Sequence, residues 1–153
     1  MSLHLDSACQ AAASVASGEY SSEELVADCL ERIAATDGAI KAWVHLDPEA
    51  ALEQARALDE LRQSGKPLGP LHGLPVGVKD IFDTCDMPTA YGSPIYQGRQ
   101  PTTDCTAVAK LREAGAVIMG KTVTAELAFV TPGETTNPHD QARTPGGSSS
   151  GSA

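Results

Sequence analysis

Asp104-Cys105-Thr106-Ala107-Val108-Ala109-Lys110-Leu111-Arg112-Glu113-Ala114-Gly115-Ala116-Val117-Ile118-Met119-Gly120 is the stretch that decides the fold class. Asp104 reads as a helix N-cap, Ala107, Val108 and Leu111 recur at helical spacing, and Gly115 closes the helix. The apolar run 116–120 has no polar face and suits a parallel strand covered on both sides. Upstream, Val76-Gly77-Val78-Lys79 lies between Pro75 and Asp80 as a second short strand, continuing through Ile81-Phe82. Strand, helix and strand make a crossover unit, so the class expected is α/β.

Moving outward, Gly and Pro punctuation divides the chain near Ser64: 12 of the 14 glycines and 9 of the 10 prolines follow it. Residues 1–64 are accordingly expected as an N-terminal helical segment and 65–153 as the start of an α/β core, together part of one domain. Within the first part, 8–16 reads as a short helix rather than a signal core, because Asp6 stands upstream and no basic n-region precedes it. Ser21 and Glu24 make a capping box for a helix carrying Leu25, Val26, Cys29, Leu30 and Ile33 up to Gly38. A strand is expected over 42–46. Asp47-Pro48 then reads as N-cap and first residue of a helix ending near Gly65. After Lys121, a helical turn or two is expected over 124–130, before a polar stretch and the closing loop.

Composition narrows the partners. A net charge of −9 and a pI near 4.7 repel phosphate backbones and anionic lipid, which leaves a neutral small molecule as the expected ligand of this portion. The four cysteines form no C-x-x-C pair and the four histidines are isolated, so no metal or other cofactor is expected. No run approaches the ~18 apolar residues that span a bilayer, so no membrane partner and a cytoplasmic location are expected.

Two lysines compete for a chemical role. Lys79 interrupts an apolar strand and shares a face with Gly77, whose missing side chain leaves room beside it. Burial there would turn a spectator cation into a general base, whereas a strand-end lysine reaching into solvent is the alternative. Lys121 leads into Thr122 and a polar helix start, so a solvated or helix-capping role is expected for it. The closing run Gly146-Gly147-Ser148-Ser149-Ser150-Gly151-Ser152 reads either as a flexible tail or as a site loop, with mobile backbone and several hydroxyls. A hydroxyl nucleophile needs a base, and His72 and His139 have no acidic partner at recognisable spacing, so lysine is the candidate.

Leu71-His72-Gly73-Leu74-Pro75-Val76-Gly77-Val78-Lys79-Asp80, then Gly120-Lys121-Thr122, Asn137-Pro138 and the run from Arg143 to Ala153 together resemble the amidase signature family in order and spacing. The resemblance covers nearly the whole chain. It implies a mixed sheet flanked by helices, of which this chain holds the N-terminal helices and first strands, and the hydrolysis of a carboxamide through an acyl-enzyme. By the same resemblance Lys79 is the base and Ser148 the bridging serine, with a cis peptide bond. The nucleophilic serine of relatives lies well downstream of the bridging one, and Ser149, Ser150 and Ser152 are too close to Ser148 to take its place. The chain is therefore expected to be the N-terminal portion of an amidase, inactive and prone to self-association by itself. Two other functions are carried forward: the A subunit of a glutamyl-tRNA amidotransferase, and an anion-binding module built on the Gly/Ser loop.

Overall fold

The Ser7 hydroxyl accepts the Gln10 N–H at 3.3 Å while the Gln10 side chain accepts the Ser7 N–H at 3.0 Å, and this capping box opens α1 (Ala8–Ser17). The computed structural model describes residues 2–153. After α1 come α2 (Ser22–Ile40), β1 (Trp43–Leu46), α3 (Pro48–Gln63), β2 (Pro75–Lys79), α4 (Thr106–Glu113) and β3 (Val117–Thr122). The strands form one sheet in the order β1-β3-β2. β1 runs antiparallel to β3. The Val117 N–H bonds the Leu74 carbonyl and the Asp80 N–H bonds the Thr122 carbonyl, which sets β2 and β3 parallel. The fold is thus α/β with a mixed sheet and a β2–α4–β3 crossover.

Four details depart from the sequence expectation. α2 passes Gly38, where an added Cβ would meet nothing, and runs to Ile40. Its left-handed exit falls on Lys41 (φ 58), held by the Asp37 carboxylate accepting the Ala42 N–H at 2.7 Å. β2 stops at Lys79 instead of continuing through Ile81-Phe82, because the Phe82 N–H turns back to the Lys79 carbonyl. α4 opens at Thr106, and Asp104 accepts the Cys85 N–H at 2.8 Å. The segment 124–130 holds one 3-10 turn, Glu126–Ala128, whose Leu127 and Ala128 have φ of 50 and 57, so no α-helix propagates there.

The chain divides into two compact units. The first takes in the described residues up to Ala35, with Asp47–Val76 and Lys110–Met119. Its core gathers Ala11, Val15, Tyr20, Leu25 and Leu74. Val15 and Val26 are wholly buried, each contributing about 1.5–3 kcal/mol by removal from water. α2 begins against this core with its first amides capped from outside the helix: Asp59 on α3 accepts the Ser22 and Glu23 N–H groups at 2.8 and 3.0 Å. A carboxylate there satisfies donors the helix cannot and suits the positive end of its dipole.

His72 lies in this unit with both ring nitrogens buried and without hydrogen-bond partners. Burial pushes its pKa below the ordinary histidine value, against the pull of the Asp59 carboxylate. The unfolded chain then binds a proton more readily than the folded one, so the contribution is complete above the unfolded value of about 6.5 and is lost as pH falls below it. The His72 contribution to the urea-unfolding free energy should be flat above about pH 7 and decline below about 6.5 by up to ~1.4 kcal/mol per pH unit. His72→Leu should flatten that decline; an unaltered slope in the variant would refute the assignment.

The second unit comprises Thr36–Leu46, Gly77–Ala109 and Gly120–Ala153. In it β1 pairs with β3 through Trp43↔Thr122, His45↔Lys121 and Leu46↔Gly120, with a bulge between Trp43 and His45. The bulge brings the Trp43 ring onto Gly77, where a Cβ would lie 2.8 Å from the ring and 2.9 Å from the Thr122 methyl. The room beside Lys79 expected from Gly77 is thus filled by Trp43. The long loop after β2 is pinned by Asp83, which takes two bonds from Arg99 (2.7 and 2.9 Å) and one from the Tyr91 hydroxyl (2.7 Å).

Candidate active site

β2 delivers Lys79 at its carboxyl end, half-buried, and the closing loop delivers Ser148, 69 residues later. Lys79 Nζ donates to Ser148 Oγ at 2.6 Å. The loop is seated on the end of β3 and the residues just after it. Ala125 N–H bonds the Ser148 carbonyl at 2.8 Å, Gly151 N–H bonds the Val123 carbonyl at 3.0 Å, and the Ser152 and Thr122 hydroxyls meet at 2.8 Å. Gly151 is required by this seating, since a Cβ would stand 2.2 Å from the Ala42 carbonyl oxygen and 2.4 Å from the Val123 nitrogen. The closing run is therefore a docked loop and not a tail. Within it the Gly147–Ser148 peptide bond is cis.

Two other hydroxyls of this loop point elsewhere. Ser150, 5% exposed, turns its Oγ to the Val123 carbonyl, and Ser152 faces Thr122. Three of the loop amides are bonded within the loop or to the sheet end: Gly146 N–H bonds Thr144 Oγ1, Gly151 N–H bonds the Val123 carbonyl and Ser152 N–H bonds the Ser149 carbonyl. Beside the loop lies a cavity of about 260 Å³ whose walls include Ala125, Phe129, Val130, Pro132, Gly146 and Ser150. Phe129 and Val130 are largely exposed at its rim.

Lys121 overturns the sequence expectation of a solvated or capping lysine: its side chain is 0% exposed and is the largest fully buried one among the described residues. The reason is that β3 runs on to Thr122, carrying Lys121 into the sheet against β1 instead of releasing it into a helix start. Its ammonium lies 3.1 Å from Asp80 Oδ1 as an ion pair, donates to Thr89 Oγ1 at 2.6 Å and reaches the Pro88 carbonyl at 3.4 Å. Burial pushes the Lys121 pKa down, and the Asp80 carboxylate opposes that shift. Asp80 and Thr89 were not singled out from sequence. The available signal was a second charge, Asp80, directly after Lys79 in an apolar setting.

His139 is exposed in its turn, and His72 belongs to the first unit. Cys85, Asp86 and Asp104 bring ligand atoms within 4.8 Å of one another. Cys85 and Asp86 are exposed.

A model of the Amidase family matches residues 24–153. Over 96% of its length the chain is 48% identical to the A subunit of the glutamyl-tRNA(Gln) amidotransferase of Thermobifida fusca, of which it spans 31%. Among solved structures it superposes on the peptide amidase of Stenotrophomonas maltophilia with a TM-score of 0.88 at 36% identity, covering 97% of this chain and 33% of that one. Against a fatty acid amide hydrolase the TM-score is 0.89 at 27% identity, covering 97% and 27%. The chain thus spans just under a third of the length of the curated relatives it matches.

Proposed function

The chain belongs to the amidase family, and from that premise we propose that its second unit supplies two groups of the active site of an enzyme hydrolysing a carboxamide C–N bond through an acyl-enzyme. The observation that carries this reading is the 2.6 Å contact between Lys79 Nζ and Ser148 Oγ. Lys79, in its neutral form, is the base and Ser148 the bridging hydroxyl. As Lys79 Nζ takes the Ser148 proton, Ser148 Oγ takes the proton of a second serine, whose oxygen attacks the amide carbonyl. The relay then returns a proton to the departing nitrogen, ammonia or an amine leaves, and water delivers the carboxylic acid by the same path. Ser150 and Ser152 do not serve as the nucleophile, because their hydroxyls are turned to Val123 and Thr122. That role falls to the downstream serine of the family, so the 153-residue polypeptide alone turns over no amide.

The curated relatives at 45 to 48% identity support a second, narrower reading, in which the chain belongs to the A subunit of a glutamyl-tRNA(Gln) amidotransferase. The two readings differ in what the ammonia meets. A free-standing hydrolase releases it into solution from simple carboxamides, and a transamidation enzyme needs its companion subunits and an acylated tRNA to consume it.

The test uses the complete polypeptide carrying this segment, a panel of carboxamides including glutamine, and hydroxylamine as a competing nucleophile. Ammonia release with a matching hydroxamate is expected, the hydroxamate reporting the acyl-enzyme. Ammonia release only in the presence of the other subunits selects the amidotransferase, while no ammonia and no hydroxamate under either condition would refute both.

A further inference from the structure

Lys121 and Asp80 have no place in the proton path, yet burying a charge pair is costly unless its geometry and hydrogen bonds repay the lost hydration. Here the side chains are 0% and 3% exposed. The alternation of a strand shows what the pair is attached to. Gly77 and Lys79 share the face on which Trp43, Thr122 and Ser152 meet, whereas Val78, Asp80 and Lys121 take the opposite, buried face. Asp80 follows Lys79 directly, and its own N–H bonds the Thr122 carbonyl at 2.9 Å. The carboxylate therefore grips the end of β2 from behind the sheet while Lys79 works from the front.

The same pair gathers the surrounding backbone. Asp80 Oδ2 accepts the Ala90 and Gly92 N–H groups at 3.2 and 3.4 Å, and Lys121 holds Thr89 and Pro88. The Tyr91 carbonyl of that segment accepts the Leu127 N–H at 2.8 Å, in the turn whose Ala125 N–H holds the Ser148 carbonyl. Both partners of the Lys79–Ser148 contact are thus referenced to one dry polar hub.

We propose that the buried Lys121–Asp80 pair is the positioning device for Lys79, fixing the carboxyl end of β2 so that Nζ stays against Ser148. The proposal rests on the reading of Lys79 and Ser148 as base and bridging serine. Without Lys121 the carboxylate of Asp80 would sit in a dry site with two weak amide bonds, and it would either take up a proton or turn toward water. Either response moves the residue next to Lys79.

The measurement is the acetylation rate of Lys79 by limiting acetic anhydride on this chain, quantified by peptide mass spectrometry against the exposed Lys66 in the same sample. In the parent, Ser148→Ala should change the Lys79 rate by about threefold or more, because it removes the oxygen that holds the amine. In an Asp80→Asn/Lys121→Met background, isosteric and without an orphaned charge, that response should shrink into the scatter of the Lys66 reference while the chain still melts cooperatively. A purely structural role would shift the melt and leave the Ser148→Ala response at its parental size, which would overturn the proposal. So would the absence of any response in the parent. Should the double variant fail to fold, Thr89→Val keeps both charges and removes only the 2.6 Å bond to Lys121. It should give an intermediate response, and an undiminished one again overturns the proposal. No amide is turned over in this experiment, so failure of the hydrolysis reading is seen separately, as missing ammonia.

Discussion

Replacing Lys79 with alanine in the complete enzyme that carries this segment is expected to lower kcat/KM for amide hydrolysis by about 10³-fold or more. A serine hydroxyl is almost entirely un-ionised near neutral pH, so attack on an amide depends on a base within hydrogen-bond reach. On the proposed reading Lys79 is that base, and its Nζ lies 2.6 Å from Oγ of Ser148, the proposed bridging serine. The loss should be kinetic rather than structural. Lys79 is only half-buried, and its truncation removes stem packing but no buried ion pair, which limits the change in stability to about 1 kcal/mol or less. Ser148→Ala should be comparably damaging. Because the two groups act in one relay, the double variant should be little worse than either single one. Steady-state kinetics with ammonia detection, alongside a thermal melt of each variant, checks the prediction. A loss smaller than about tenfold for Lys79→Ala would remove it from the role of base.

Lys121→Met should have the opposite signature, a large loss of stability from a residue that contacts no reacting atom. The substitution is nearly isosteric, yet it removes the counter-charge of the buried Asp80 carboxylate, and breaking a buried pair from one side costs about 3–5 kcal/mol. For a chain of this size the melting temperature would fall by roughly 10 °C. The orphaned charge, not the lost ammonium as such, is the damaging element. Adding Asp80→Asn to Lys121→Met should therefore recover most of the stability, since two neutral side chains of similar volume replace the pair. The thermal melts of the parent, the single variant and the double variant decide the matter. A single variant within about 1 kcal/mol of the parent, or a double variant no better than the single, would mean that the pair is not as dry as the structure has it.

The two lysines show how far local pattern carries and where it stops. The place of Lys79 at the end of a strand was legible because its neighbours are informative at short range: Val76, Gly77 and Val78 define a strand, Pro75 and Asp80 bound it, and alternation fixes the shared face with Gly77. The β2–α4–β3 crossover was legible for the same reason, as were Asp47 as N-cap and Pro48 as first residue of α3, with Asp47 accepting the Ala50 N–H at 3.0 Å. Lys121 was not. Gly120-Lys121-Thr122 followed by polar residues looks like an exit into a helix start, and nothing within a few residues says otherwise.

What the chain determines by itself is the set of elements, their order and the chemical kinds available at strand ends. These follow from caps, periodicity and Gly/Pro punctuation, which act over one or two turns. Only the tertiary structure decided that β3 runs on through Lys121, that Trp43 fills the space over Gly77, and that Ser148 lies against Lys79. Each depends on partners far along the chain: the pairing of His45 with Lys121, the folding of segment 88–92 over Asp80, and the fit of Gly151 between Ala42 and Val123. Burial is the physical reason. A lysine becomes a solvated charge or the dry centre of a polar hub according to which distant backbone covers it, and pattern within a few residues does not carry that information.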